Sequence, residues 1–514
     1  MSIAQSAPAD NRAGEFRQGA GPFTDDPGLP FAACLSPEEM ERALQEEGVC
    51  FGESEQAVYT PQLTLWAFLS QTLSQGVERS CQAAVHRLIV LCLLCGLRAP
   101  SPDTGAYCRA RAKISVSLLQ RLTQSMAQAV EDESPESWRW RGRRVLFGDG
   151  TTLLLPDTEA NQKAWPQANT QQPGLGFPIL RMVVLMSLAT GMIRGMAEGP
   201  YQGKQTGEPA LLRELFDCFR EGDVLVADRY FCSYFMLALL QARGVEVVMK
   251  LHQRRPSDFS AGQRLGPGQT QVTWKKPSRP EWMDEQTYQS LPQELTLRLA
   301  QVQVKVKGFR VKEYVVATTL LDREAYPLEA LGELYFWRWH AELDLRSLKC
   351  SMHLDEVRGK TPEMVRKELW AHFLACNLVR RRMAQAALGG EIEGMAGLGG
   401  AWGESLWRRL GSQGQNVSAT AGQRRGDSPV RYLSFASALQ NTKETWLLGS
   451  VSRGPTRQML GRVNLLLIAS GRLPDRPFRV EPRAIKRRPK SHKLLRKPRR
   501  QAREELLSGG TAAA

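Results

Sequence analysis

The pattern of apolar positions changes character along the chain. From Ser36-Pro37-Glu38-Glu39, where Ser fits a helix cap and Pro its first turn, apolar residues recur at helical spacing. Leu65, Phe68, Leu69 and Leu73 follow Thr60-Pro61, and further stripes lie within 80–94 and 117–130. This predicts an all-helical domain over 36–135. At Arg143 the texture becomes that of strands. The run RRVLFGDGTTLLLP reads as strand, tight turn, strand, with Asp149 at the first strand's end. FPILRMVVLMSLATGMIRGMAEGPY predicts two more strands meeting at Thr190-Gly191, with a helix over 209–219 beyond them. GDVLVADRYF predicts a buried strand closing on Asp228, then a helix over 230–243 and a short strand over 245–251.

Three strands, helix, strand, helix, strand is how a ribonuclease-H-like α/β core begins, and it places the first part of such a core at 140–251. From 252 to 321 alternating segments such as TQVTW and LRLAQVQVKV predict a β-rich insertion, closed by one more strand at KEYVVATTLLD. The second part of the core, 322–385, holds a helix carrying YFWRWHAELDLRSLK (335–349) and a long helix from Thr361-Pro362. The remainder reads as a disordered arm (1–35), a Gly-rich linker (386–430), a helical C-terminal region (431–470) and a basic tail (471–514). The expected fold class is therefore α/β: a ribonuclease-H-like catalytic core interrupted by a β-rich insertion. An N-terminal all-helical DNA-binding domain and a helical, basic C-terminal region flank it.

Composition adds a partner. A net charge of +15 and a pI near 9.5 point to a polyanion, because clustered Lys and Arg neutralise phosphates and release counterions. The N-terminus lacks the basic start and apolar run of a signal peptide, and the apolar stretch 88–94 is far short of the roughly 20 residues a membrane span needs. The expectation is a cytoplasmic, nucleoid-associated protein with no membrane partner. Cys92 and Cys95 form a C-x-x-C inside an apolar helical run with no second pair at metal spacing, which favours buried thiols. In SPDTGAYCRARAKI, Arg109, Arg111 and Lys113 make a basic helical element that can dock on a DNA backbone. The same residues equally fit a solvated helix face.

The candidate chemistry concentrates in 335–349. At roughly 100° per residue, Arg338, Glu342 and Lys349 fall about 60°, 20° and 40° from Tyr335, all to one side. A hydroxyl, two cations and a carboxylate on one stripe make a poor core face, but they suit a surface that holds phosphates and a metal. Asp149 and Asp228 each end a hydrophobic strand, an expensive position for a carboxylate unless it is paired or binds metal. If their strands are neighbours, a carboxylate from the helix completes a cluster for divalent cations with sites left open for phosphate oxygens.

The set also resembles a family. Tyr335, Arg338, Glu342 and Lys349 reproduce the signature Tyr, two residues, Arg, three residues, Glu, six residues, Lys of the DDE transposases of bacterial insertion sequences, in the insertion-sequence-four group. GDGTT around Asp149 and ADRYF around Asp228 resemble that family's two Asp motifs, and the segment following the signature is similar too, with Cys376 where a Tyr is expected. The resemblance covers roughly 36–500. It implies that Asp149, Asp228 and Glu342 are catalytic and bind two Mg²⁺ ions, with Mn²⁺ as a substitute, and that Tyr335, Arg338 and Lys349 grip phosphates of the transposon end. It further implies a homodimer that synapses two terminal inverted repeats of double-stranded DNA, cuts them and joins their 3′ hydroxyls to target DNA. In some members a flipped base stacks on an aromatic of the insertion. Trp274 and Trp282 are the candidates for that, against the alternative of packed Trp side chains. Two other readings remain open from the residues: a domesticated or inactive relative that binds DNA without cutting, and a ribonuclease-H-like nuclease.

Overall fold

A computed structural model describes residues 35–508 apart from 36, 55–56, 95–97, 256–257, 261, 304–312, 389–427, 453 and 474–495. Most of the expected arm, the Gly-rich linker and the basic tail lie outside the described residues. The helical start runs through α1 (Pro37–Glu46), α2 (Pro61–Thr72), α3 (Cys81–Leu94), α4 (Gly105–Lys113) and α5 (Val116–Glu133). Thr60 caps α2 by accepting from Leu63 N, and Ser115 caps α5 by accepting from Leu118 N.

The sheet region follows as β1 (Val145–Leu154), α6 (Glu159–Ala164), β2 (Ile179–Ser187), β3 (Ile193–Pro200), α7 (Glu208–Arg213), β4 (Val224–Ala227), α8 (Tyr234–Gln241) and β5 (Glu246–Lys250). Next come β6 (Gln263–Gly266), β7 (Gln269–Lys275), α9 (Glu285–Ser290), β8 (Glu294–Gln303) and β9 (Glu313–Thr318). One nine-stranded sheet contains them all, in the order β3-β2-β1-β4-β5-β9-β8-β7-β6. β1, β4 and β5 are parallel, and the hairpin of β2 and β3 turns at Gly191, whose φ of 71° is the left-handed conformation that glycine adopts without strain. The segment expected as a β-rich insertion does not form a sheet of its own. β9 pairs antiparallel with β5, which carries β8, β7 and β6 outward as an extension of the same sheet.

The sheet is apolar on both faces, as buried parallel strands require. Phe147, Val226 and Val248 lie in one core with the long helix, while Leu225, Val247 and Met249 join α7 and α8 in the other. That long helix belongs to the last group: α10 (Leu328–Trp337), α11 (Trp339–Arg346), α12 (Pro362–Leu388), α13 (Phe435–Val451), α14 (Gly454–Ser470) and α15 (Arg499–Leu507). α12 is buried along most of its 27 residues. Lys367 of α12 donates to Ala112 O at 2.7 Å, and Glu368 pairs with Arg79 at 3.2 Å, so the N-terminal helices are fastened to it by one lysine-to-carbonyl bond and one buried ion pair. Asn377 closes another seam: its Oδ1 accepts from Ile193 N at 2.8 Å, and its Nδ2 donates to the carbonyls of Ile193 and Thr123. No helix of the described residues is long and apolar enough to cross a membrane.

Candidate active site

β1 and β4 are parallel neighbours, with Gly148 opposite Ala227. The next residues along are Asp149 and Asp228. In-register positions of parallel strands face the same way, so both carboxylates lie on the face that α11 covers. β4 meets β5 with Ala227 opposite Met249, which puts Lys250 beside Asp228 in turn. β1 runs on through Asp149 to Leu154, without the tight turn expected at Gly148-Asp149-Gly150. The three parallel strands thus carry a row of carboxylate, carboxylate and ammonium at one level, where β4 and β5 end but β1 continues beside β2. Lys250 escaped the sequence reading, although VEVVMK ends an apolar run on a charge just as the two Asp strands do.

The 335–349 stretch is laid over this row, but not as a single helix. α10 ends at Trp337, α11 begins at Trp339, and Ser347–Ser351 form a wider π turn. Such turns insert an extra residue and recur at functional sites. Arg338, at the break, reaches both ways. Its Nη1 lies 3.6 Å from Asp149 Oδ2, and its Nη2 donates to Glu342 Oε1 at 2.6 Å. Lys349, in the π turn, donates to Thr152 O of β1 at 2.8 Å. Tyr335 is buried with its ring 5.0 Å from that of Tyr314, and burial raises its phenol pKa.

The electrostatics follow from that packing. Burial pushes the Asp149 carboxyl up to about 6; Arg338 and the Gly150 N–H oppose the rise, while Glu342 and Glu208 add to it. Lys250 is lowered by burial and by Arg229 and Arg338, against the pull of Asp228. Asp228 Oδ1 accepts from Arg229 N at 2.5 Å and caps the short helical turn Arg229–Phe231. Glu208, which heads α7, is a second residue the sequence reading missed. Burial raises its carboxyl and Asp228 raises it further. A Cβ on Gly150 would stand 2.3 Å from the Glu208 carboxyl carbon, so the second glycine of GDGTT leaves the room that Glu208 fills.

The structure brings Asp149, Arg338 and Glu342 into contact, and it sets Asp228 and Lys250 beside them. Among the described residues, no three His, Cys, Asp or Glu side chains converge closely enough to hold a metal ion. The guanidinium of Arg338 instead supplies the positive charge between Asp149 and Glu342. The donor set still fits a hard divalent cation, being entirely carboxylate oxygen, and two of its carboxylates, Asp149 and Glu342, share the single guanidinium of Arg338.

The remaining candidates lie elsewhere. Arg111 turns inward, donating to Gln71 at 3.1 Å with its guanidinium 5.3 Å from the Phe68 ring and 5.5 Å from the Tyr107 ring, so its part in the basic element is packing. Arg109 and Lys113 remain exposed. Trp274 is buried under Arg255, 3.6 Å from the ring centroid, and Arg213 covers Trp282 at 3.7 Å. Both rings are thus packed against guanidiniums of the chain itself.

Residues 140–378 match the family model described as transposase DDE domain. The transposase InsG for insertion sequence element IS4 of Escherichia coli (strain K12) is 27% identical over 361 residues, 69% of this chain and 76% of that protein. The putative transposase InsL for insertion sequence element IS186A of the same organism is 32% identical over 76 residues, 15% of this chain and 20% of that protein. Among solved structures, a piggyBac transposase synaptic complex with hairpin DNA aligns over 89% of this chain and 85% of that one at 13% identity, with a TM-score of 0.37. The family model and the relatives converge on one reading: residues 140–378 form a transposase DDE domain, and the chain is similar to transposases of the insertion-sequence-four type.

Proposed function

We propose that this transposase binds the terminal inverted repeats of its element as a homodimer, cleaves the ends and transfers their 3′ hydroxyls to target DNA. The observation that carries this reading is the row of Asp149 and Asp228 on adjacent parallel strands, with Arg338 and Glu342 laid over it from a helix. The strand order β3-β2-β1-β4-β5 supports reading the centre of the sheet as a ribonuclease-H-like core.

Asp149, Asp228 and Glu342 are the residues that would hold Mg²⁺, or Mn²⁺ in its place. A pair of such ions supplies an activated oxygen nucleophile and charge stabilisation at the leaving oxygen. The chain's own groups do the positioning. Arg338 is fork-shaped and already engages two carboxylates, so it can exchange one of them for a phosphate of the DNA end. Lys349 places an ammonium near β1, and the buried Tyr335 hydroxyl stays protonated as a donor. These three groups fix the scissile bond in line with the acids. The helical region over 36–135, through Arg109 and Lys113, and the basic tail would add contacts to the DNA backbone.

The test incubates purified protein with a labelled element end and Mg²⁺. Asp228→Ala should abolish cleavage while end binding persists in a gel shift. Cleavage by Asp228→Ala at the parent rate would sink the assignment.

A further inference from the structure

Two residues beyond Glu342, Asp344 points to the opposite side of α11, into the interior, where its side chain is 7% exposed. Arg380 of α12 pairs with its Oδ1. Arg431, whose side chain is 2% exposed, donates Nη1 to its Oδ2 at 2.7 Å. The other arms of Arg431 are spent on β2: Nε donates to Leu188 O and Nη2 to Ser187 O, each at 2.5 Å. Ser187 lies opposite Leu146 on β1, the strand that carries Asp149. One guanidinium therefore spans the two bodies that must be held apart at a fixed distance, the sheet bearing Asp149 and the helix bearing Glu342.

Arg431 comes from the short turn Pro429–Tyr432, beyond the segment 389–427. Leu433 bridges to Arg472, just past α14, so the turn is tied at its C-terminal end both to α13, into which it runs, and to the end of α14. Arg382 of α12 adds bonds to Asn464 and to Gly461 O of α14. Arg380 is locked independently: its guanidinium packs 4.8 Å from the Phe435 ring and sits against Gly191, where a Cβ would meet it at 2.9 Å.

We propose that Arg431 is a positioning residue for the active site and that the C-terminal helices act on catalysis through it. In this role Arg431 registers α11 against β2, and hence Glu342 against Asp149, without touching DNA or metal. The inference rests on the reading of Asp149 and Glu342 as partners in metal binding. Glu342→Gln is therefore run alongside: if it cleaves like the parent, that reading fails, whatever Arg431 does.

The variants are Arg431→Met, which keeps the bulk and removes the fork, and Arg431→Lys, which keeps the charge. Each full-length protein is checked for folding by thermal melting. It is then measured for end binding, for single-turnover cleavage across a Mg²⁺ titration, and for Mn²⁺ affinity in the absence of DNA from the paramagnetic resonance of the free ion. Folded Arg431→Met should bind the labelled end within about twofold of the parent, cleave at least tenfold more slowly, and require several-fold more Mg²⁺ and Mn²⁺ for half-saturation, because a displaced but intact carboxylate still binds more weakly. Arg431→Lys should recover part of each loss. Parental cleavage and metal dependence in folded Arg431→Met overturn the proposal. So does an equal fall in end binding and cleavage with unchanged metal half-saturation, which would make Arg431 a DNA-binding or purely structural residue. If Arg431→Met does not fold, Arg431→Lys decides: a parental metal dependence there also overturns it.

Discussion

Glu342 and Asp344 stand two residues apart on one helix and meet opposite fates. Asp344 is enclosed by two guanidiniums; burial alone would raise its pKa, but Arg380 and Arg431 outweigh burial and hold it below the ordinary range. His340, one turn before it, is driven down to about 4 by burial and by the same two arginines, so it is neutral and adds no charge there. On the other side, Glu342 is 38% exposed and shares Arg338 with Asp149, itself 18% exposed and raised to about 6. One region encloses a single carboxylate between two guanidiniums, whereas the other has two carboxylates sharing one guanidinium. A closed cluster serves placement, and an open one retains capacity for a ligand.

If the buried side is a structural joint, breaking it should cost the most. Asp344→Ala leaves Arg380 and Arg431 facing each other without a counter-ion, and urea unfolding should show a loss of about 3–5 kcal/mol. A loss under ~1 kcal/mol would erase the contrast between the two sides.

The open side should respond with the opposite sign. The folded pKa of Asp149 is raised above the ordinary value near ~3.9, so its contribution to stability is full below pH ~4 and is lost as pH rises through about 6. In chelator and without DNA, Asp149→Asn should therefore be more stable than the parent at pH 7.5, by on the order of 2 kcal/mol, with the gain vanishing toward pH 4. A gain that stays constant across that range, or a loss at pH 7.5, would place Asp149 among the closed pairs. The smallest effect is expected of the shared cation. Arg338→Gln should weaken end binding by about 1–3 kcal/mol, read as a change in Kd at fixed salt, and unchanged binding would remove Arg338 from the phosphate clamp.

Much of this was legible in the chain, and the reason is local. An apolar run that stops on a carboxylate picked out Asp149 and Asp228, although only Asp228 follows a strand's end while β1 continues through Asp149 to Leu154. The spacing of Tyr335, Arg338, Glu342 and Lys349 singled out the stretch above them. What escaped depends on distant chain segments. Lys250 acquires meaning only from the register of β5 beside β4. Glu208 does so only from the room at Gly150. Arg431 lies 87 residues from Asp344 in sequence and carries no motif. The inward turn of Arg111 is decided by Gln71, Phe68 and Tyr107, which basic spacing does not register. Periodicity also could not show that the strands of 252–321 would continue the core sheet, because alternation gives a strand its faces but not its neighbours.

The wide turn at Ser347–Ser351 bears on the signature itself. A fixed count of six residues between Glu342 and Lys349 measures distance along the chain, whereas reaching Thr152 depends on the angle at which Lys349 leaves the helix. An uninterrupted α-helix would deliver the same count at a different angle. The turn works as a phase adjuster, and the spacing of the signature is meaningful only together with it.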